Sequence, residues 1–139
     1  LWWGKNAAWL KCLELAPGGP VLRWSYPVVR HTFSTPAVAA GLVFVSDCSQ
    51  NLHCVDTETG QGLWTHELDG ETCASPLVAD GRVYVGTRRG AFHVLAAARE
   101  KRVLFETHLG SPISATAVVA HGTLYVCTMN RLYAAARAR

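Results

Sequence analysis

The chain has 139 residues, of which 50% are hydrophobic and 17% charged, and its formal net charge at pH 7 is +3. This apolar content is enough for a packed core and excludes an intrinsically disordered chain. All apolar runs are shorter than the roughly 18 residues that a transmembrane helix needs, and the 13 Lys and Arg residues form no dense cluster. Composition therefore predicts no membrane span and gives no support for nucleic-acid binding.

The first predicted elements are two strands at residues 9–14 and 21–26, separated by a Pro- and Gly-rich segment at 16–20. The sequence of residues 10–14 matches that of residues 52–56, because each stretch begins with Leu, has Cys in third place and ends on Glu or Asp. The segment between the two strands is richer in Pro and Gly than its counterparts further along the chain. We therefore expect a longer loop there.

The clearest unit spans residues 34–71 and predicts four short strands, at residues 35–39, 42–46, 51–56 and 63–68. Pro36 suits the start of a strand, because its missing N–H is not needed there. Ala40-Gly41 suits the positive φ angles of a two-residue hairpin. The β-branched and aromatic run at 42–46 favours a strand, and helical spacing is absent throughout.

Two features of this unit recur along the chain at steps of 40 and 41 residues. Turn glycines keep these steps, at Gly41, Gly81 and Gly122. A large aromatic residue keeps them too, and we predict it to be the wedge between adjacent sheets, at Trp24, Trp64 and Phe105. A fixed period in this range indicates a solenoid, a propeller or an array.

Four antiparallel strands in every forty residues form the unit of a β-propeller blade. We therefore predict an all-β β-propeller segment, a single unit over residues 1–139. It has blade parts at 1–33, complete blades at 34–71 and 72–111, and a partial blade at 112–139. About three and a half blades are fewer than a closed ring requires. Three explanations stay open: residues beyond this sequence complete the ring, copies of the chain assemble, or an open arc exposes strand edges that allow self-association.

The five cysteines are odd in number and form no CxxC pair. Cys12 and Cys54 hold the same place in successive units, so we expect both to be small buried apolar residues. The ligand spacing of a zinc site is absent, and we predict no metal site. A disulfide between Cys48 and Cys73 is left open by the sequence.

The repeat resembles a known family. LHCVDTETGQGLW at residues 52–64 resembles the pyrroloquinoline-quinone-type propeller repeat, which reads leucine, tyrosine, alanine, leucine, aspartate, then threonine-glycine and a tryptophan. SPLVADGRVYVGT at residues 75–87 is similar to the front half of that repeat. Residues 92–105 depart from it, since they lack the aspartate, the threonine-glycine and the tryptophan.

This family includes quinoprotein alcohol and glucose dehydrogenases, which hold pyrroloquinoline quinone (PQQ) and calcium on the propeller axis. It also includes non-enzymatic outer-membrane-assembly lipoproteins of Gram-negative bacteria and secreted repeat proteins of planctomycete type, which this chain resembles most. Resemblance to the non-enzymatic members implies no catalytic residue and no cofactor. PQQ and calcium are expected only if the chain is part of a dehydrogenase. The resemblance also implies a periplasmic or secreted bacterial location.

In a propeller, the loops that join successive blades share one face with the loops between the second and third strands. We expect any binding site on that face, where loops carry function. Its polar residues include Gln50 and Asp69. The candidate binding residues are Arg30, His31, Asp47, Glu71, Arg88, Arg89, His108 and Asn130. Of these, His31 and Asp47 come from adjoining loops and could meet as an acid–base pair.

Clean repeats without a catalytic constellation favour a non-enzymatic scaffold that binds a protein or peptide through this face or an open strand edge. One alternative is a fragment of a quinoprotein dehydrogenase, which has fold-level support alone. A second alternative is an extracytoplasmic sensor or ligand-binding module.

Overall fold

A computed structural model describes residues 8–136, which form thirteen β-strands and no helix. Residues 1–7 and 137–139, which the sequence assigns to the first and last partial blades, lie outside the described residues. The strands are β1 Ala8–Ala16, β2 Gly19–Val28, β3 Ala37–Ala39, β4 Leu42–Ser46, β5 Asn51–Asp56, β6 Gly62–Glu67, β7 Leu77–Ala79, β8 Arg82–Gly86, β9 Ala91–Ala96, β10 Val103–His108, β11 Val118–Ala120, β12 Thr123–Cys127 and β13 Leu132–Ala136.

The strands form four antiparallel sheets in chain order: β1-β2, β3-β4-β5-β6, β7-β8-β9-β10 and β11-β12-β13. The two central sheets are complete four-stranded blades, and the outer sheets are partial ones. Every neighbour pair is a hairpin, because each short strand folds back on the one before it. The predicted all-β fold with four-stranded antiparallel blades in an incomplete propeller is confirmed.

The first and second strands of each blade meet in the same tight turn. Positive φ angles occur at both central residues in all three cases: 51° and 75° at Ala40 and Gly41, 48° and 69° at Asp80 and Gly81, and 50° and 73° at His121 and Gly122. This is the type I′ geometry, whose twist matches that of the flanking strands.

The β1–β2 hairpin differs from the prediction. Ala16 pairs directly with Gly19, so only Pro17 and Gly18 form the turn. The expected longer loop is wrong, because the two strands extend to nine and ten residues and absorb most of that segment.

The core lies between the sheets. One cluster fills the space between the second and third sheets around Phe44, Leu52 and Val85. Another joins the third and fourth sheets around Phe92, Ile113 and Val126. Strands β4 and β9 are buried along their whole length, which explains why their sequences run apolar without strict alternation.

The sheets converge along their first strands, as blades do around an axis. Strands β3 and β7 contact each other. The amide of Thr35 donates to Ser75 Oγ at 2.8 Å, and the amide of Ser75 donates to Thr116 Oγ1 at 3.0 Å. These three hydroxyl residues keep the steps of 40 and 41, so one repeated position links neighbouring blades. The described residues contain no helix long and apolar enough to cross a membrane.

Candidate functional site

The loops at one end of the blades are joined by backbone hydrogen bonds and form a common surface, the loop face. It comprises residues 29–36, 47–50, 68–76, 87–90, 109–117 and 128–131. The amide of Cys48 donates to the carbonyl of His31 at 3.0 Å, and the amide of Arg88 donates to that of Glu71 at 2.7 Å. At the opposite end of the blades, the amide of Thr57 donates to the carbonyl of Gly41 at 3.0 Å.

Seven of the eight candidate binding residues lie exposed at this end of the blades: Arg30, His31, Glu71, Arg88, Arg89, His108 and Asn130. Exposed apolar residues accompany them, and the exposed fractions are 68% for Val29, 62% for Phe33 and 72% for Met129. The His31 ring packs edge-on against Phe33, with ring centroids 5.1 Å apart. The loop face therefore combines cationic groups with exposed hydrophobic side chains.

Asp69 joins two of these residues. Its Oδ1 lies 3.3 Å from Arg89 Nη1, and its Oδ2 lies 3.0 Å from His108 Nε2. Gly70 makes room for this arrangement, because a Cβ at its positive φ of 111° would lie 2.8 Å from Arg89 Cγ. Both contacts are exposed, so they orient the side chains and contribute little to stability.

An open cleft of about 370 Å³ adjoins this group. It lies between the second and third sheets, where Asp69 and Arg89 enter from the loops. Its lining residues are Gln50, Glu67, Leu68, Asp69, Arg89, His93 and Glu106. Acidic and imidazole groups dominate the lining, so the cleft suits a cation or a hydrogen-bonding ligand.

Asp47 is the exception among the candidate residues. It is fully buried, so its side chain does not reach the surface of the loop face. Its carboxylate accepts hydrogen bonds from the amides of Ser49 at 2.8 Å, Asn51 at 3.2 Å and Val29 at 3.2 Å. A carboxylate holding three amides of two loops is a structural cap, because it satisfies donors that the turn leaves open.

The imidazole that pairs with Asp47 is that of His53, on β5. His53 Nε2 lies 3.1 Å from Asp47 Oδ2, and His53 Nδ1 lies 3.1 Å from the hydroxyl of Tyr26. The ionised carboxylate can only accept, so Nε2 carries the proton and the Tyr26 hydroxyl donates to Nδ1. Tyr26 belongs to the first sheet, so this chain of hydrogen bonds links the first two sheets. We call the group of Tyr26, His53 and Asp47 the first seam.

Burial acts on both ends of this chain of hydrogen bonds. At Asp47, burial raises the pKa, but the hydrogen bonds from His53 and from the Asn51 and Ser49 amides outweigh it and leave the pKa below its ordinary value of 3.8. Burial also raises the pKa of Tyr26, and the charge of Asp47 adds to that effect. Asp47 is therefore held ionised and Tyr26 is held protonated.

The next seam, between the second and third sheets, brings three titratable groups together. His93 Nδ1 lies 3.0 Å from Glu106 Oε1, and His66 Nε2 lies 3.3 Å from the same oxygen. The two nitrogens are 3.3 Å apart. Both imidazoles are buried, and Glu106 reaches solvent at the cleft. We call this the second seam.

The predicted wedge aromatics have different surroundings. Trp24 Nε1 donates to the carbonyl of Thr57 at 2.8 Å, and Trp64 Nε1 donates to that of Ala98 at 3.0 Å. Each indole therefore reaches the turn between the third and fourth strands of the next sheet, although the second of these turns lacks threonine-glycine. Phe105, at the repeat-equivalent position, is 57% exposed.

The turn after β5 receives the first of these indoles. A Cβ at Gly60 would lie 2.6 Å from the Trp24 ring, and a Cβ at Gly62 would lie 2.6 Å from Tyr26. Asp56 Oδ2 accepts from Arg99 of the next sheet at 2.6 Å, and this bond lowers the pKa of Asp56 strongly. The threonine-glycine turn and its aspartate thus serve contacts between blades.

All five cysteines are free thiols, so the described structure contains no Cys48–Cys73 disulfide. Cys54 is fully buried, and burial raises its pKa to about 12. It behaves as the small apolar core residue that the sequence predicts, whereas Cys12 is half-buried.

Sequence reasoning missed the two seams. His53 and His93 stand 40 residues apart, as do Tyr26 and His66, so the repeat itself contained the signal. The signal is hidden because the two residues of each pair, Tyr26 with His53 and His66 with His93, lie in strands of different sheets.

A calcium–quinone centre of the kind that quinoprotein dehydrogenases hold on the propeller axis needs a matching set of metal ligands. Among residues 8–136, one group of three His, Cys or carboxylate side chains has its ligand atoms within 4.8 Å of one another, at His66, His93 and Glu106. Calcium prefers six to eight oxygen ligands. Two imidazoles and one carboxylate do not fit a calcium–quinone centre, and we assign no such role to this group.

Comparison with known proteins identifies relatives of two kinds. A quinohemoprotein alcohol dehydrogenase of Comamonas testosteroni is 34% identical over 123 residues, which cover 76% of this chain and 16% of the relative. The structure of BamB from Moraxella catarrhalis matches with a TM-score of 0.74 at 21% identity, over 89% of this chain and 39% of that one. A europium-containing methanol dehydrogenase matches with a TM-score of 0.59 at 18% identity, over 72% of this chain and 21% of that one.

The chain thus spans less than half the length of each of these relatives. The two structural matches show the propeller fold, which both kinds of protein share. The family model described as "Outer membrane protein assembly factor BamB" matches residues 8–134. This chain belongs to that family, within the PQQ-like repeat propellers.

Proposed function

We propose that this chain is a non-enzymatic part of a propeller scaffold that binds a protein or peptide segment on its loop face. One observation carries the proposal: exposed Phe33, Val29 and Met129 share that face with exposed arginines. Aromatic residues, Met and Arg are enriched in the buried centres of protein interfaces. Large exposed apolar side chains beside cationic groups on one face favour a partner that covers them.

The charges of the loop face favour one kind of partner. Arg30, Arg88 and Arg89 lie on it, and Asp69 faces Arg89 and His108. A segment with acidic and apolar side chains would match these arginines and the exposed hydrophobic residues. Guanidinium groups bind carboxylates in a planar fork, which adds geometric selectivity to the attraction.

The family supports the same class of partner. Its description names an outer-membrane protein assembly factor, which works with other proteins. By this relation we also propose an extracytoplasmic location for the chain. The BamB relative has a much longer chain than this one. We therefore also propose that the whole protein, like this segment, has a protein partner.

The binding test uses a fluorescein-labelled peptide that alternates Glu with Leu and Phe, and a second peptide with Lys in place of Glu. Fluorescence anisotropy should detect binding of the acidic peptide and much weaker binding of the basic one. The double variant Arg30→Glu with Arg88→Glu should weaken the acidic peptide at least about tenfold.

The matched control reverses two charges at the opposite end of the blades, with Lys101→Glu and Arg102→Glu. This variant has the same net charge as the test variant, so it corrects for long-range attraction. Equal loss in both variants, or no binding of the acidic peptide, would contradict the proposed loop-face site.

A second candidate function rests on the 34% identity to a quinohemoprotein alcohol dehydrogenase. In that reading the chain is a segment of a quinoprotein dehydrogenase. Titration of the chain with PQQ and calcium would separate the two functions. A rise in the unfolding temperature with PQQ would favour the dehydrogenase segment, whereas an unchanged temperature would leave the peptide-binding proposal standing.

A further inference from the structure

The three groups of the second seam have the spacing of metal ligands. The distances among His66 Nε2, His93 Nδ1 and Glu106 Oε1 are 3.3, 3.0 and 3.3 Å. In a tetrahedral zinc site with metal–ligand bonds of about 2.0–2.1 Å, neighbouring ligand atoms lie about 3.3 Å apart. The three atoms therefore already occupy one face of such a tetrahedron.

Hydrogen bonds alone do not satisfy this triangle while Glu106 is a carboxylate. If both imidazoles donate to Glu106 Oε1, then two N–H groups face each other across 3.3 Å. If His66 Nε2 has no proton, then its lone pair faces the carboxylate oxygen at 3.3 Å. One of the three contacts is repulsive in either arrangement, whereas a cation at the centre would bind a lone pair of each of the three atoms.

The surroundings hold the ligands in place and leave one side open. His66 and His93 are buried between the sheets, so their rings are oriented before any ion binds. Glu106 borders the cleft, which gives an ion a path from solvent and room for a water ligand.

The first seam lacks this arrangement, although two of its three residues occupy the same repeat positions as the two histidines. Tyr26 stands where His66 stands, and His53 stands where His93 stands. There a phenol donates to the imidazole, and the other ring nitrogen is held by Asp47. The cluster of two histidines and a glutamate is therefore a local feature of the second seam and is not required by the fold.

We propose that His66, His93 and Glu106 bind a divalent transition-metal ion of the zinc type at the seam between the second and third blades. Imidazole and carboxylate ligands suit zinc and the neighbouring late first-row metals. The ion would tie β6 of one blade to β9 and β10 of the next. Two of its ligands are buried, so the site is structural, with the cleft side left for water.

One contact would change when the metal binds. The amide of Asp69 donates to His93 Nε2 at 3.4 Å, the longest hydrogen bond of the group. A metal on Nδ1 moves the imidazole proton to Nε2, where it would face that amide. The Asp69 backbone must then turn away, so the Asp69 amide resonance should shift on metal addition.

The experiment uses the purified 139-residue chain after chelator treatment, with Zn²⁺ in calorimetric titration and Co²⁺ in absorption spectroscopy. We expect one ion per chain, a tetrahedral Co²⁺ spectrum without a thiolate charge-transfer band, and a higher unfolding temperature with Zn²⁺. The thiolate band matters because five free cysteines offer the competing ligands.

Two ligand variants and one control complete the test. Glu106→Gln should weaken Zn²⁺ binding at least about 100-fold, since loss of even an outer-shell partner costs about 10–100-fold. His66→Tyr, which places the first-seam residue in the second seam, should abolish binding. Glu67→Gln makes the same charge change in the same cleft and should stay within about threefold of the wild type.

Circular dichroism of each variant checks that a lost affinity does not come from unfolding. No Zn²⁺ binding by the folded wild type would overturn the proposal, and so would a thiolate band in the Co²⁺ spectrum. Equal Zn²⁺ affinity in Glu106→Gln and Glu67→Gln would also overturn it. In each of those cases the three side chains form a hydrogen-bonded contact between blades and nothing more.

Discussion

The indole Nε1 of Trp64 donates a hydrogen bond of 3.0 Å to the carbonyl of Ala98, in the turn of the following blade. The ring also packs against Phe44, with centroids 5.8 Å apart, and against the core between the second and third sheets. One side chain thus links two blades by both an apolar and a polar contact. Such a residue governs the docking of neighbouring sheets.

We predict that Trp64→Ala lowers the free energy of unfolding by about 3 kcal/mol, the cost of a large aromatic truncation in a partly exposed setting. The repeat-equivalent change Phe105→Ala should cost less than about 1 kcal/mol, because Phe105 is 57% exposed. Urea denaturation of both variants measures the difference. Equal losses would mean that Phe105 is covered in solution.

The turn after β5 leads to a second prediction. Gly60 has a φ of 71°, and a Cβ there would lie 2.6 Å from the ring of Trp24. Gly60→Ala combines backbone strain with this overlap, so we expect a loss of more than about 1 kcal/mol in the free energy of unfolding. Gly18→Ala is the control, since no atom lies within 4 Å of its Cβ. Thermal denaturation that ranks the two variants equally would contradict the close docking of Trp24.

The third prediction concerns the buried carboxylate of the first seam. The pKa of Asp47 lies below 3.8 in the folded chain, so the unfolded chain binds its proton more readily. The stability that Asp47 contributes is complete above about pH 4 and is lost as the pH falls through the folded-state pKa. The free energy of unfolding should therefore decrease steadily on acidification in that range.

Asp47→Asn should remove the part of the pH dependence of the free energy of unfolding that Asp47 contributes. It should also cost about 1–3 kcal/mol at pH 7, because an amide NH₂ would face backbone N–H donors. Urea denaturation from pH 7 to pH 3 measures both effects. Asp80→Asn removes a carboxylate from an exposed turn and should keep wild-type stability at pH 7. A variant at Asp47 as stable as wild type would contradict the capping role.

The fourth prediction follows from the incomplete sheets. Strand β13 pairs with β12 and with no other strand among residues 8–136, and Leu132 on it is 65% exposed. An open, apolar strand edge pairs readily with another chain. Light scattering of the purified chain should reveal species larger than a monomer.

A charge on this edge should suppress that association. Leu132→Lys should shift the mass toward the monomer, because an edge lysine opposes strand pairing. Met129→Lys adds the same charge in the preceding loop and should leave the mass unchanged. A monomeric wild-type chain would contradict the prediction, and so would an equal effect of both variants.

The amino-acid sequence determined the architecture of this protein. Strand β4 was predicted within its observed bounds at 42–46, and β5 within its bounds at 51–56. The glycine turns at Gly41, Gly81 and Gly122 can be predicted from the sequence because the same turn residues recur three times at a fixed period. Apolar runs, turn residues and a period of forty are local signals, so they need no knowledge of which blades touch.

The tertiary structure decided what the polar residues do. Asp47 is in a loop by sequence, but it is buried because amides from two loops and His53 converge on it. Glu106 faces His93 across neighbouring strands of the third sheet, but His66 reaches them only where the second sheet stacks on the third. Contacts between blades depend on the angle and spacing of the stacked sheets, which arise from the packing of the whole core and leave no pattern within a single strand.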